Sequence, residues 1–294
     1  MDQVYAGSEQ GGKGPLVSLV VATVGRSVEL DRFLAHVGKQ TYQHLEVIVV
    51  DQNTDDRVRR VLDSYCNRIC IIHVHSAKGA SKARNIGLKL SRGDIVAFPD
   101  DDCWYPPDLL ASVVRFFELR RNWGGLTGRI MNEIGKVSGN ARFDSIAGPI
   151  DLSNIWRRAC AATLFLTRET VVHTGGFDEE LGPGAGTPWG AAEDIEYPAR
   201  AIKAGNPIFY DPSICVFHPD SPVEASAAGA ARAYTYGAGI GRVWMKHKFP
   251  YSVIVRYLIR PLTGAFLSMI TGHWGEARCR WAAFEGRLSG LMSR

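Results

Sequence analysis

Asp100, Asp101 and Asp102 stand side by side directly after the apolar run Ile95-Val96-Ala97-Phe98 and Pro99. Carboxylates so close resist joint ionisation, and the cost falls only when a cation neutralises them. Hard divalent ions such as Mg²⁺ or Mn²⁺ take oxygen ligands and suit this role. In an extended or turning backbone the first and third side chains point the same way. Asp100 and Asp102 are therefore the pair expected to share one ion. Other residues capable of chemistry recur along the chain: Thr23 and Arg26, then Asp51, Arg84-Asn85, Trp189, Glu193-Asp194 and His218. Singly, each has an ordinary reading. An acidic turn can cap a helix, an acidic pair can sit at a helix N-terminus, and a histidine can end a strand.

Stepping along the chain, the hydrophobic pattern supplies the elements that must hold these residues. Strands are expected at 16–23, 45–51, 69–74 and 94–99, and helices at 28–39, 55–65 and 80–90. Strands alternating with helices predict βαβ units, a mainly parallel sheet and right-handed crossovers. Thr23, Asp51 and the three aspartates then fall at strand carboxyl ends, where open α/β sheets bind ligands. Beyond Asp102 the pattern predicts a helix at 106–120, strands or a hairpin at 123–134, and a strand at 161–166. A short helix from Arg168 follows. The Gly/Pro-rich loop 182–190 precedes a helix beginning near Glu193, and short strands at 207–210 and 214–217 end at His218. Long loops of that composition often act as lids.

Read in order, the pieces resemble the family 2 glycosyltransferases with the GT-A fold, in particular bacterial-type enzymes that assemble surface polysaccharides. The resemblance runs from Pro15 to His218 and rests on FPDDDCWYPP (98–107), GGFDE (175–179) and GAGTPWG (184–190) followed by Glu193-Asp194 and His218-Pro219. It implies an α/β GT-A fold, a mainly parallel central sheet flanked by helices, with a C-terminal helical appendage. By the same resemblance Thr23, Arg26 and Asp51 line the nucleotide pocket, with Asp51 meeting a base N–H. Arg84 lies near the base or diphosphate, and Asp100 and Asp101 belong to the donor site. Asp100 and Asp102 hold Mn²⁺ or Mg²⁺, with His218 completing the metal site as it does in some members. Asp194 matches the catalytic base, and Glu193 beside it helps to hold the acceptor. Asp51-Gln52-Asn53 stands where many relatives carry a second acidic residue, so the choice of nucleotide stays open.

The chemistry behind these roles is general. A departing diphosphate needs its charge neutralised, which a divalent ion does as Lewis acid and template. The acceptor hydroxyl must lose a proton to a carboxylate on the opposite face, and one such base suffices for an inverting displacement. Trp189, an aromatic in a Gly/Pro loop, suits stacking on a sugar. The expected activity is transfer of one sugar from a nucleotide-diphosphate sugar to a lipid-linked or oligosaccharide acceptor in polysaccharide biosynthesis. Two rivals share the pocket: a sugar-nucleotide pyrophosphorylase and a non-catalytic nucleotide-sugar sensor. Against the first, the segment from Thr23 to Ser27 is short and poor in Gly. Gly237, Gly239 and Gly241 follow no strand, which excludes a dinucleotide-binding loop. Arg280-Trp281 lacks the glutamine expected of a processive synthase, since Ala277 stands there.

Composition bounds the rest. At 46% hydrophobic and 22% charged residues the chain is ordinary for a globular protein. Residues 1–14 read as a loose tail, 15–220 as the catalytic domain, and 221–294 as a basic amphipathic helical segment. Six cysteines without CxxC pairing suggest reduced thiols in a cytoplasmic protein. From Gly229 onward ten Lys/Arg face two Glu, although the whole chain carries only +4. That stretch also holds Trp244, Phe266, Trp274, Trp281 and Phe284. Its apolar run 253–270 is broken by Arg256, Arg260 and Pro261, which predicts an interfacial helix rather than a span. The expected partner is the cytoplasmic membrane surface, contacted peripherally; nucleic acid is not expected.

Overall fold

The computed structural model describes residues 3–5, 14–137, 143–220 and 224–293. Strand β1 (Gln3–Tyr5) comes first, then β2 (Val17–Thr23), helix α1 (Val28–Val37) and β3 (Leu45–Asp51). All seven residues of β3 are buried, as expected for a strand covered on both faces. α1 turns Leu30, Phe33, Leu34 and Val37 inward, the spacing of one helical face. Next come α2 (Arg57–Leu62), β4 (Cys70–His75), α3 (Ala80–Leu90), β5 (Ile95–Ala97) and α4 (Leu109–Leu119). The parallel block β4-β3-β2-β5 places Thr23 opposite Asp51 and Asp51 opposite His75, so three strand ends finish level.

β6 (Gly125–Met131), β7 (Gly148–Pro149), β8 (Phe165–Thr167) and α5 (Arg168–Thr174) follow. After them come α6 (Glu193–Lys203) and β9 (Ile208–Phe217). The sheet order is β1-β4-β3-β2-β5-β8-β6-β9-β7, with β8 antiparallel to β5 and β6, and β9 parallel to β6. This is a mixed sheet around a parallel core, flanked by helices.

Several local expectations are corrected. The strand expected at 161–166 begins as a 3-10 turn at Ala161–Thr163, and the paired strand is Phe165–Thr167. Within 123–134 the strand is Gly125–Met131, and the tight turn after it brings Val137 back antiparallel to Met131, the expected hairpin reduced to a single bridge. Two short strands at 207–210 and 214–217 are a single strand, β9. Within it the Asp211 carboxylate accepts from the backbone and hydroxyl of Ser213, bulging the chain without ending the strand. The facing residue is Gly128, where a Cβ would meet the Ile214 carbonyl oxygen at 1.9 Å. Gln3–Tyr5, inside the expected tail, pairs antiparallel with β4, and most of the remaining tail lies outside the described residues.

By packing the chain separates into two compact units. The first comprises Met1–Lys78, Lys82–Gly176 and Arg200–Asp220; the second comprises Gly79–Ser81, Phe177–Ala199 and Ser221–Arg294. Helices α7 (Ala227–His247), α8 (Tyr251–Ile270) and α9 (Trp274–Met292) dominate the second. Here the glycines that exclude a dinucleotide loop find their use. A Cβ at Gly241 would lie 2.1 Å from the Arg287 carbonyl oxygen, and one at Gly290 would lie 2.0 Å from that of Ala238. α7 and α9 thus touch backbone to backbone through small residues. α8 runs unbroken through Pro261 and, by length and composition, is apolar enough to cross a membrane, with mean hydropathy 1.4. Arg256 and Arg260 do not lower it below that level.

Candidate active site

β5 delivers the three aspartates to the level edge formed by β2, β3 and β4. The middle one turns away from the others. Asp101 accepts from Thr23 Oγ1 at 2.7 Å and from Arg26 Nη1 at 2.6 Å. Burial dominates its titration and holds the carboxyl above the usual range despite Arg26. Thr23 and Asp101 are both buried, so their side chains brace the loop.

Asp100, Asp102 and His218 come together, their ligand atoms all within 4.8 Å of one another. Arg84 Nη2 reaches Asp100 Oδ1 at 3.1 Å, and Arg26 Nη1 lies 2.7 Å from Asp102 Oδ2. His218 arrives because Trp104 and Phe217 exchange backbone hydrogen bonds of 2.9 and 3.0 Å, while the His218 amide donates to the Met131 carbonyl. The Trp104 and Phe217 rings stack, and the Arg32 guanidinium covers Trp104 at 4.1 Å while donating to the Asp102 carbonyl oxygen at 2.9 Å. Arg32 and Trp104 were not legible as site residues. Their only sequence signal is an Arg in one helix and a Trp two residues past the aspartates.

The His218–Asp102 contact shows what the site is suited to hold. His218 Nδ1 sits 2.7 Å from the Pro219 carbonyl oxygen, which only accepts, so Nδ1 carries the hydrogen. In the neutral ring Nε2 is then a bare lone pair, and it lies 3.1 Å from Asp102 Oδ1. That oxygen is buried and has no well-aligned hydrogen-bond partner. Two lone pairs facing each other require a proton or a metal ion. Burial opposes charging the ring, but Asp102 and then Asp100 outweigh it and raise the His218 pKa. Burial likewise opposes ionising Asp102, yet His218 and Arg26 hold its carboxyl below the usual range. Two carboxylates and an imidazole with an unsatisfied oxygen fit a divalent cation.

Asp51 is engaged locally. Oδ1 accepts from the backbone and side-chain nitrogens of Asn53, each at 2.8 Å, and Oδ2 lies 3.2 Å from His73 Nε2. Asn53 Oδ1 in turn takes the Gly25 amide at 2.7 Å, joining the loops after β2 and β3.

In the second unit the loop 182–190 is fastened by Gly182 N to Trp189 O at 3.0 Å and by Gly190 N to Thr235 O at 3.1 Å. The Arg242 guanidinium covers one face of Trp189 at 4.4 Å. Gly182 has φ +101°, and a Cβ there would strike the Glu193 carboxyl carbon at 2.9 Å. Ala192, just before α6, holds φ 73°, a conformation costly for a residue with a Cβ. It presents Glu193, buried, and Asp194, half-buried, in the first turn of α6. Below them Glu196 is fully buried and receives Lys246 Nζ at 2.8 Å and His247 Nε2 at 3.1 Å.

Residues 18–162 match the family model described as Glycosyl transferase family 2. The chain carries a family 2 glycosyltransferase domain. Relatives of that domain include the UDP-Glc:alpha-D-GlcNAc-diphosphoundecaprenol beta-1,3-glucosyltransferase WfgD of Escherichia coli, 36% identical over 30% of this chain and 36% of WfgD. Glycosyltransferase AglE of Haloferax volcanii is 25% identical over 79% of this chain and 75% of AglE. Against relatives such as WfgD the chain spans about a third of their length. Among solved structures, the mannosyltransferase PcManGT from Pyrobaculum calidifontis with GDP-Man and Mn²⁺ superposes at TM-score 0.64. It is 16% identical and is covered over 97% of this chain and 90% of its own. Residues 1–349 of S. aureus TarS with UDP-GlcNAc superpose at 0.61, with 17% identity over 93% and 90% of the two chains. The family 2 domain therefore sits on a GT-A fold.

Proposed function

We propose that this protein transfers a single sugar, with inversion, from a nucleotide-diphosphate sugar to a lipid-linked or oligosaccharide acceptor. The observation that carries the reading is the convergence of Asp100, Asp102 and His218 around an unsatisfied carboxylate oxygen. Asp100, Asp102 and His218 would hold Mn²⁺ or Mg²⁺, which when bound neutralises the leaving diphosphate. Arg26 and Arg84 add positive charge on the same edge and orient Asp102 and Asp100. Thr23 and Asp101 keep the loop rigid, so little reorganisation is needed when the donor arrives. Asp51 is the proposed partner of the nucleotide base. Asp194 is the proposed general base: the acceptor oxygen bonds to the anomeric carbon, the bond to the diphosphate breaks, and the hydroxyl proton passes to the carboxylate. Glu193 and Trp189 are the proposed acceptor contacts.

The lipid-linked acceptor is supported by the WfgD activity and by the surface of α8 and α9. Phe266, Ile270 and Trp274 are each about two-thirds exposed, and Leu262, Phe266, Met269 and Trp281 line an apolar groove of about 440 Å³. Arg256, Arg260, Arg278 and Arg280 are exposed on the same helices. Apolar side chains rimmed by arginine suit an anionic bilayer surface, each arginine contributing about 1 kcal/mol. These features support the proposed peripheral position on the cytoplasmic membrane face.

Incubation with a panel of nucleotide sugars, Mn²⁺ and a polyprenyl-diphosphate sugar tests the transfer. Release of nucleoside diphosphate that depends on both acceptor and ion supports it, whereas tight binding without release refutes it in favour of a sensor. Co-sedimentation with anionic vesicles tests the membrane contact, which Trp274→Ser together with Phe266→Ser should weaken at least tenfold.

A further inference from the structure

Helix α7 turns one face toward the segment that carries the proposed acceptor groups. Arg242 and Lys246 are four residues apart and share that face. Arg242 covers Trp189 and lies 4.0 Å from the Glu180 carboxylate. One turn further on, Lys246 Nζ donates to Asp178 Oδ2 at 2.7 Å and to Glu196 Oε1 at 2.8 Å. The two carboxylates belong to different arms. Asp178 begins the arm of Trp189: its Oδ1 accepts from the Glu180 amide at 3.0 Å, the Glu180 carbonyl accepts from Thr187 Oγ1 at 2.5 Å, and that oxygen accepts from the Trp189 amide at 3.2 Å. Glu196 belongs to the arm of Asp194, two residues further along α6. Phe177 and Tyr197, each next to one of these carboxylates in the chain, stack with centroids 4.1 Å apart and planes 12° apart.

We propose that Lys246 is a positioning residue for the acceptor side of the site: its ammonium ties the Trp189 loop to the helix that bears Asp194. The inference rests on the assignment of Trp189 and Asp194 to the acceptor. Two carboxylates drawn to one point repel each other, and a cation between them offsets that repulsion. Burial opposes the charge on Lys246, but Asp178 and Glu196 outweigh it and raise its pKa, so the ammonium stays charged near neutrality. Stabilising Glu196 does not by itself call for this arrangement. His247 Nε2 already lies 3.1 Å from the same Glu196 oxygen. The bond from Lys246 to Asp178 adds nothing to that pairing and joins a second arm instead. Ala192, with φ 73° directly before α6, holds a conformation that persists only where its surroundings fix it, and the hold on Glu196 is one such constraint.

The test compares three variants of the full-length protein: Lys246→Met, the double variant Lys246→Met with Glu196→Gln, and Asp178→Asn. The double variant removes the charge that Lys246→Met alone leaves buried, and Asp178→Asn cuts only the Trp189 arm. Each is assayed with the nucleotide sugar that supports release, Mn²⁺ and a polyprenyl-diphosphate sugar, beside calorimetry of donor binding and a thermal melt. Lys246→Met should lower kcat about 100-fold and raise the acceptor KM, with donor and Mn²⁺ affinity within about twofold. The double variant should regain Tm without regaining kcat. Asp178→Asn should raise the acceptor KM about tenfold at nearly unchanged Tm. Full activity in Lys246→Met, or a double variant that regains kcat together with Tm, overturns the proposal. Asp194→Asn run in parallel keeps the two readings apart. If it is inactive while Lys246→Met is fully active, only the positioning role falls; if it transfers sugar normally, the base assignment falls and the positioning role with it.

Discussion

Proton and metal ion should compete for one atom, His218 Nε2. The ring's other nitrogen is committed to the Pro219 carbonyl, and Nε2 faces a buried carboxylate oxygen at 3.1 Å. Without metal the gap is filled by a proton, so the folded-state pKa lies above the ordinary 6.5. Asp102 lies below the usual carboxylate range and stays ionised throughout, adding no slope near neutrality. Mn²⁺ binding below the His218 pKa must therefore expel one proton. The Kd should weaken about tenfold per pH unit there, equivalent to about 1.4 kcal/mol, and level off above it. Stability of the metal-free protein should move the opposite way. A raised histidine pKa adds stability that is complete below about 6.5, the unfolded value, and is lost as pH rises through the folded pKa. The depressed Asp102 adds stability present above its unfolded value and lost only as pH falls through its lower folded pKa. Calorimetric Mn²⁺ titration in two buffers of different ionisation enthalpy counts the protons directly. His218→Gln should bind Mn²⁺ more weakly and without pH dependence between about 5.5 and 7.5. A flat Kd in the unaltered protein, or the same slope surviving in His218→Gln, would refute the geometry drawn from the Pro219 contact.

Asp102→Ala should abolish both Mn²⁺ binding and sugar transfer, whereas Asp194→Asn should abolish transfer and leave Mn²⁺ and nucleotide affinity within about twofold; calorimetry beside a diphosphate-release assay separates them. Glu196→Ala strips Lys246 and His247 of a fully buried partner and should cost about 2–4 kcal/mol in urea denaturation. Gly241→Val would drive a side chain against the Arg287 carbonyl, now 2.1 Å from a notional Cβ. Its loss, on the order of 3 kcal/mol, should appear in thermal melts, and a Tm within 1 °C of the unaltered protein would contradict direct backbone packing of α7 on α9.

What the sequence determined by itself was whatever depends on neighbours a few residues away. The apolar runs of β2 and β3 bury strands on both faces, and the helical period of 80–90 returns as α3 with the same bounds. The adjacency of three aspartates already called for positive charge beside them, which Arg26 and Arg84 supply in part, and alternation already paired the first with the third. Local rules failed where a long-range partner outweighed propensity. Residues 207–217 read as two strands because Asp211-Pro212-Ser213 is turn-like, yet pairing with β6 carries the strand through the bulge that Gly128 leaves room for. Gly237 and Gly241 excluded a nucleotide loop by their setting, but their use as a close-packing face exists only once α9 lies against α7. The proposed metal site divides in the same way. Asp100 and Asp102 were local, whereas the placing of His218 against them is the work of Trp104 and Phe217, two residues distant in the chain whose backbones pair and whose rings stack. Hydrophobic periodicity encodes which face of an element is buried; it carries no record of which distant backbone will complete the edge.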